Sequence, residues 1–387
     1  MYPTIYDAVL DLFGLSIPPL KLLQSFGFFV ALAFLAAMFS LSKEIIRREK
    51  SGMLKGKLEK MWVGKPLEIS EYIVSSLIGF GLGYKFVGIA LNFAEASANT
   101  QDYILSSQGN VIGGIVFAAL AAYITYRDDP KYKGITPEEV EKMIMPHERV
   151  GTITMIAVVG GILGAKIFHN IENPDQFFAD PVGSLTSFSG LTFYGGLICA
   201  AAAIIIYARK NGIKPLQLCD STAPALILAY GIGRIGCQVA GDGDWGIPND
   251  APMPQWLSFL PEWVWAYNYP NNVHHINLQA DFMSMGLTSL TGKAFPTPIY
   301  ETTMALTIFA GLWIFRKSFV VPGMMFCTYL VFNGVERFLI EQIRVNVQFE
   351  LLGMMVTQAQ VISASLIFIG LAGVVFLKLF PKKVDRL

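Results

Sequence analysis

The sequence predicts an all-α, polytopic integral membrane protein, and three observations carry that expectation. Only 15% of its 387 residues are charged, against about 25% in a soluble domain, and the mean hydropathy is +0.49. Nine apolar stretches approach the ~20 residues that a helix needs to cross the hydrocarbon layer. Finally, the basic residues fall in every second connection between those stretches.

The apolar stretches lie at 22–42, 72–93, 103–126, 150–171, 189–208, 221–241, 298–315, 322–343 and 353–377. SKEIIRREKSGMLKGKLEKMWVGK follows the first, YRDDPKYK the third, ARKNGIK the fifth, FRKS the seventh and KLFPKKVDR the ninth. The opposite connections, such as IENPDQFFADP and GDGDWGIPND, are acidic or neutral. Positive charge stays on the cytoplasmic side, so the N-terminus is expected outside and the C-terminus inside. The long connection 242–295 is then external, and three of its tryptophans, Trp256, Trp263 and Trp265, are expected to cluster at the interface. No basic region opens the N-terminal MYPTIYDAVLDLFG, so a cleaved signal peptide is not expected there.

Charges inside spans carry the functional signal. Arg234 stands 14 residues after Asp220 on a rising span, or ~21 Å up at 1.5 Å per residue. Arg337 stands 15 residues after Pro322, at a similar ~22 Å. Glu301 in PTPIYETTMAL and Tyr194 in LTFYGGL lie near the outer ends of their own spans. Four spans thus bring polar groups to one level in the outer half of the membrane. In VFNGVERFLIEQIR, Asn333, Arg337, Glu341 and Arg344 are spaced to share one helical face, while Glu336 points elsewhere and is expected to snorkel or pair. Two arginines, with glycines 231, 233, 236 and 241 around one of them, suit an anion, because a guanidinium binds phosphate through two parallel hydrogen bonds. A phosphate at that depth is most simply a phospholipid head group. The competing reading is a structural ion pair between Arg337 and Glu341 that joins helices.

Other signals are weaker. GIGRIG fits GxGxxG, yet a dinucleotide site needs a preceding strand and a βαβ unit. His169, His274 and His275 lack metal-ligand spacing, and Cys199, Cys219, Cys237 and Cys327 sit in apolar segments as small hydrophobes. No metal or cofactor is expected. Lys85 and Lys166 interrupt spans singly and are expected to snorkel. Zero net charge gives no reason to expect nucleic acid.

YGIGRIGCQVAGDGDWG, LTFYGGLI, FPTPIYE and RFLIEQIR, in that set, resemble the bacterial prolipoprotein diacylglyceryl transferases. The likeness covers the first span and then residue 150 to the C-terminus. It implies a seven-span core (1–50 with the first span, and 150–387 with six more and the external loop) interrupted by an insertion, 51–149, that adds two spans. It also implies an enzyme of the bacterial inner membrane, acting at the outer leaflet without a cofactor. Its substrates would be the membrane lipid phosphatidylglycerol and a prolipoprotein signal peptide bearing a lipobox cysteine. The diacylglyceryl group would move to the thiol and release glycerol 1-phosphate. By that resemblance Arg337, Tyr194 and Glu341 are catalytic, and Arg234, Gly236, Asp242, Glu301, Arg344 and Asn333 bind substrate. The chain departs from the family pattern at five positions, besides the insertion. Tyr194 stands where a histidine is usual and Phe26 where a tyrosine is; Cys237 and Ala240 replace two asparagines, and Asp242 a glutamate.

The other class of function is a transporter or flippase using the same arginines as an anion site; related halves and a midplane site would mark it, and neither is legible. The basic connections yield a direct test of orientation. A reporter fused after Lys210 is expected to behave as cytoplasmic and one fused near Asn249 as external. The reverse at both sites would remove the outer-leaflet substrate.

Overall fold

The computed structural model describes residues 1–186, 192–351 and 353–380, most of them helical. Among them are nine helices of 18 residues or more. They are α1 (Ser25–Lys50), α2 (Ile69–Leu91), α3 (Val111–Asp128), α4 (Val150–Glu172), α5 (Phe193–Lys210), α6 (Pro215–Ala240), α7 (Thr297–Phe315), α8 (Met324–Glu341) and α9 (Gln358–Leu379). Each falls on one of the nine apolar stretches. Seven (α1–α4, α6, α7 and α9) are long and apolar enough to cross a membrane. The polytopic membrane architecture therefore stands. Residues 189–191 of the fifth stretch, with the first residue of LTFYGGLI, lie outside the described residues, as does the basic tail after Phe380.

Three features differ from the sequence expectation. First, the chain is not wholly helical. Strands β1 (Lys57–Val63) and β2 (Glu138–Ile144) pair antiparallel, from Lys57↔Ile144 to Val63↔Glu138, and β3 (Gln348–Leu351) pairs β4 (Met354–Thr357). Second, the stretch 103–126 breaks into Thr100–Leu105 and α3. Lys85 explains where the break is tolerated. Its ammonium does not snorkel to water but takes the carbonyls of Tyr103, Ser106 and Gln108 at 3.0, 2.5 and 2.7 Å, which the missing helical bonds leave free. Third, α6 begins five residues before Asp220, whose carboxylate is fully buried.

The chain divides into two compact units. The first comprises Met1–Lys55, Pro146–Met155 and Ile204–Leu387. Within it α6 is the hub against which α1, α7 and α8 pack, and α8 also packs along α9. Without a hydrophobic drive between helices in lipid, close approach at small residues supplies the attraction. A Cβ at Gly236 would lie 2.9 Å from that of Phe29 on α1, and one at Gly231 3.1 Å from that of Ala305 on α7. A Cβ at Gly334 would lie 2.8 Å from the Ser363 carbonyl on α9.

A buried polar knot closes one end of this bundle. Arg48, with no exposed side-chain surface, pairs with Glu44 at 2.8 Å and Asp220 at 3.3 Å, and donates to Gln217. Asp220 also accepts the backbone N–H of Gly323 and Phe326, both at 2.9 Å, at the start of α8. One carboxylate thus neutralises a buried arginine and caps a helix N-terminus.

The connection 242–295 folds on itself. Trp245, Tyr269, Leu278, Phe282 and Ala294 form its core, and Ala294 bridges Pro248 and Tyr267. The three tryptophans do not behave alike. Trp265 packs edge-on against Phe295 and donates to the Ala251 carbonyl at 2.9 Å, whereas Trp256 and Trp263 are exposed.

The second unit comprises Gly56–Met145 and Ile156–Ala203. Its α2 and α3 meet along a glycine seam, where a Cβ at Gly79 would lie 2.6 Å from the Phe117 carbonyl and one at Gly114 2.7 Å from the Phe80 ring. Gly164 of α4 meets the Gly195 carbonyl and Cys199 of α5 in the same manner. Gly79→Leu is expected to destabilise the protein by about 1–3 kcal/mol through overpacking, read as a lower midpoint of thermal unfolding in detergent. Gly81→Leu, where a Cβ meets nothing within 4 Å of described atoms, is the control expected to be near silent. Equal effects would mean that the seam is not close-packed.

Candidate active site

Tyr230 and Arg234 stand one turn apart on α6, with the guanidinium 5.1 Å from the phenol ring centroid. The αL glycine Gly241 (φ 66°) ends α6, and the turn that follows carries Asp242 and Asp244. Glu301 sits in the first two turns of α7, and α8 ends with Glu336, Arg337 and Glu341. Arg344 lies beyond that helix and pairs through a β-bridge with Gly246.

Glu301 is the centre. Its side chain has no exposed surface, and three arginines converge on it. Arg234 Nε is 3.4 Å from one oxygen; Arg337 Nη1 and Arg344 Nη1 are 3.4 and 3.5 Å from the other. The Tyr230 hydroxyl also reaches Glu301, at 2.9 Å, and Glu336, at 3.2 Å. Asp244 forms the second bridge. One of its carboxylate oxygens takes Arg234 and the other takes Arg344. Its own carbonyl accepts from the Thr297 hydroxyl. Glu341 holds Arg337 at 2.9 Å and receives Asn346 at 2.6 Å.

Three guanidinium groups therefore face three carboxylates. Burial would push the Asp244 carboxyl up, but Arg234 and Arg344 outweigh it and hold the group below its usual range. Asp242 goes the other way, raised first by burial and then by the neighbouring charge of Asp244.

Arg234, Glu301, Arg337, Glu341 and Arg344 are thus brought together from three helices and a return segment. Several expectations need correction. Arg344 does not share a helical face with Arg337, because α8 ends at Glu341; the bridge to Gly246 places it instead. Gly236, expected to let a backbone or a ligand come close, admits α1, whose Phe26 and Phe29 it meets. Glu336 does not snorkel but pairs, buried beneath the Tyr230 hydroxyl that donates to it. Asn333 is half-buried one turn before Arg337. Asp242 holds one buried oxygen without a hydrogen bond, while its carbonyl meets the His274 ring. Tyr194 is the second residue of α5, half-buried, in the second unit.

Two central residues escaped the sequence reading. Tyr230 had a usable signal, its position four residues before Arg234 on a helix. Asp244 had a fainter one: GDGDWG offers two acids, and only the turn decides which meets the arginines. Cys237, Asp242 and Asp244 place ligand atoms within 4.8 Å of one another. Arg234 and Arg344 on Asp244, and Arg234 3.7 Å from the Cys237 sulfur, oppose a cation there.

Comparison with known proteins agrees with this picture. The family model described as prolipoprotein diacylglyceryl transferase matches residues 131–376. A phosphatidylglycerol–prolipoprotein diacylglyceryl transferase of Leptospira interrogans is 24% identical over 241 residues, covering 55% of this chain and 67% of that protein. Its counterpart in Clostridium tetani is 26% identical over 258 residues, 66% of this chain and 88% of the relative. That of Chromobacterium violaceum is 28% identical over 250 residues, with 62% and 81% covered. With a match over more than half its length and an arginine cluster built from the segments that carry the resemblance, the chain belongs to the prolipoprotein diacylglyceryl transferase family.

Proposed function

We propose that the protein transfers the diacylglyceryl group of phosphatidylglycerol to the lipobox cysteine of a secreted prolipoprotein, releasing glycerol 1-phosphate. The observation that carries this reading is the convergence of Arg234, Arg337 and Arg344 on the buried carboxylate of Glu301, in a chain of this family. In the proposed topology the N-terminus is outside, the C-terminus inside, and residues 51–149 add two spans to a seven-span core in the bacterial inner membrane. The arginines then face the outer leaflet, where both substrates meet them.

In the reaction the thiolate sulfur attacks the glycerol carbon bonded to the phosphate oxygen. A C–S bond forms, the C–O bond breaks, and its electron pair leaves on the phosphate monoester. The thiol proton passes to a base or to that phosphate. Charge thus grows on the departing oxygen, where Arg337 and Arg234 stabilise it electrostatically. Glu341 fixes the Arg337 fork, Glu301 orients all three guanidinium groups, and Arg344 adds positive charge. We assign Tyr194 to orienting the lipid or assisting the thiol by the family resemblance alone. Asp242 and Asn333 border the head group.

The test is incubation with phosphatidylglycerol and a lipobox peptide, followed by mass spectrometry of the peptide. A diacylglyceryl increment on the cysteine is expected. Arg234→Ala and Arg337→Ala should lower turnover by on the order of 10²–10³, at matched expression, and lysine should rescue neither, because a point charge lacks the bidentate fork. Tyr194→Phe should cost roughly 10²–10⁴ if the hydroxyl takes part in proton transfer; a silent substitution would remove Tyr194 from the site. Near-normal turnover in both alanine variants would leave a structural ion network, and lipid scrambling without an adduct would support a transporter.

A further inference from the structure

In its direct ion pairs the arginine cluster carries no spare positive charge, and the neighbouring acids Glu336 and Asp242 add none. Arg234, Arg337 and Arg344 face Asp244, Glu301 and Glu341, three against three. A lipid phosphate entering this arrangement would make the cluster net negative in a medium that screens little. One carboxylate must therefore give way. Glu301 and Glu341 stand on helices with fully buried side chains. Asp244 differs from both. It lies on the turn after α6, next to Gly243 at φ 94°, and 27% of its side chain is exposed.

Its geometry is that of a ligand. The two oxygens of one carboxylate each take a different guanidinium, Arg234 and Arg344, as two oxygens of one phosphate would. We propose that Asp244 occupies the phosphate position as an internal anion, and that the phospholipid head group binds by displacing it from Arg234 and Arg344. This rests on the functional reading above and specifies how the site is filled. Exchange of one anion for another keeps the charge balance at three to three. It also keeps both arginines pre-oriented when no lipid is bound, so the forks need no reorganisation on capture. The same two arginines anchor Asp244 through charge, so it remains an anion at neutral pH.

The experiment compares the full-length protein with Asp244→Asn and Asp244→Glu in detergent micelles. Binding of short-chain phosphatidylglycerol is titrated by calorimetry, with inorganic phosphate as a second probe. Removing the competing charge should tighten phosphatidylglycerol binding by roughly tenfold, the scale of one charge-assisted hydrogen-bond pair. Asp244→Glu, which keeps the charge, should not tighten it. Tighter inorganic phosphate binding in parallel would assign the recognition to the phosphate itself; tightening for the lipid alone would add the glyceryl groups to it, and either supports displacement. If Asp244→Asn does not fold, carbodiimide-driven amine labelling of the wild-type protein answers the question. Asp244 should label faster when phosphatidylglycerol is added, because its carboxylate is released. Unchanged or weaker binding in Asp244→Asn, or labelling that does not accelerate, would overturn the inference and leave the functional reading intact. Wild-type protein that binds neither probe would overturn both.

Discussion

A fully buried carboxylate, Glu301, holds three arginines from two other helices and a return segment. An isolated charge in that position would cost several kcal/mol in lost hydration, so the surrounding fold has to deliver its partners. That requirement explains why α6, α7 and α8 pack with their charged levels in register. Asp244 and Tyr230 add the remaining contacts, from the turn after α6 and from α6 itself. The net stability of such a network is modest. Its specificity is greater, since removing one member strands the others in a low-dielectric interior.

The helix that supplies Arg234 is also the one on which the first unit is assembled. α6 meets α1 at Gly236 and α7 at Gly231, two faces of the same GIGRIG stretch. Between them, Gly233 has no described atom within 4 Å of where a side chain would begin. The glycines therefore have different tasks, and two of them bring backbones together around the arginine. At the far end of α6, Asp220 binds Arg48 and caps α8. The hub is thus pinned by ionic contacts at both ends, and small-residue packing fixes the distance between its neighbours.

The return segments decide which acids meet which bases. Arg344 and Gly246 pair as a two-residue bridge, and the Ile247 N–H donates to the Ile343 carbonyl at 2.8 Å. This stitch ties the chain leaving α8 to the turn leaving α6. A Cβ at Gly246 would meet the Ile343 carbonyl and the Phe295 and Thr297 side chains, so the glycine admits the approach. Through it Arg344 and Asp244 face each other, although 100 residues separate them.

The sequence by itself determined the long helices, because long apolar stretches with at most a few charges each, in a chain with so few charges, admit little else. It also determined that the charges of Arg234, Glu301, Arg337 and Glu341 need partners, since charge within such stretches is costly. The family was legible from the same four segments. Only the tertiary structure decided the pairings. Helical spacing placed Arg344 on the face of Arg337, but α8 stops at Glu341 and a β-bridge carries Arg344 to its place. Gly236 read as room for a backbone or a ligand, and the structure uses it for a helix crossing. Asp244 rather than Asp242 pairs with the arginines, because positive-φ glycines at 241 and 243 turn the chain on either side of Asp242. Glu336 is buried under Tyr230 because α6 covers that side of α8. Periodicity along one segment reports the cost of burying a charge; which opposite charge relieves it depends on contacts between segments far apart in the chain.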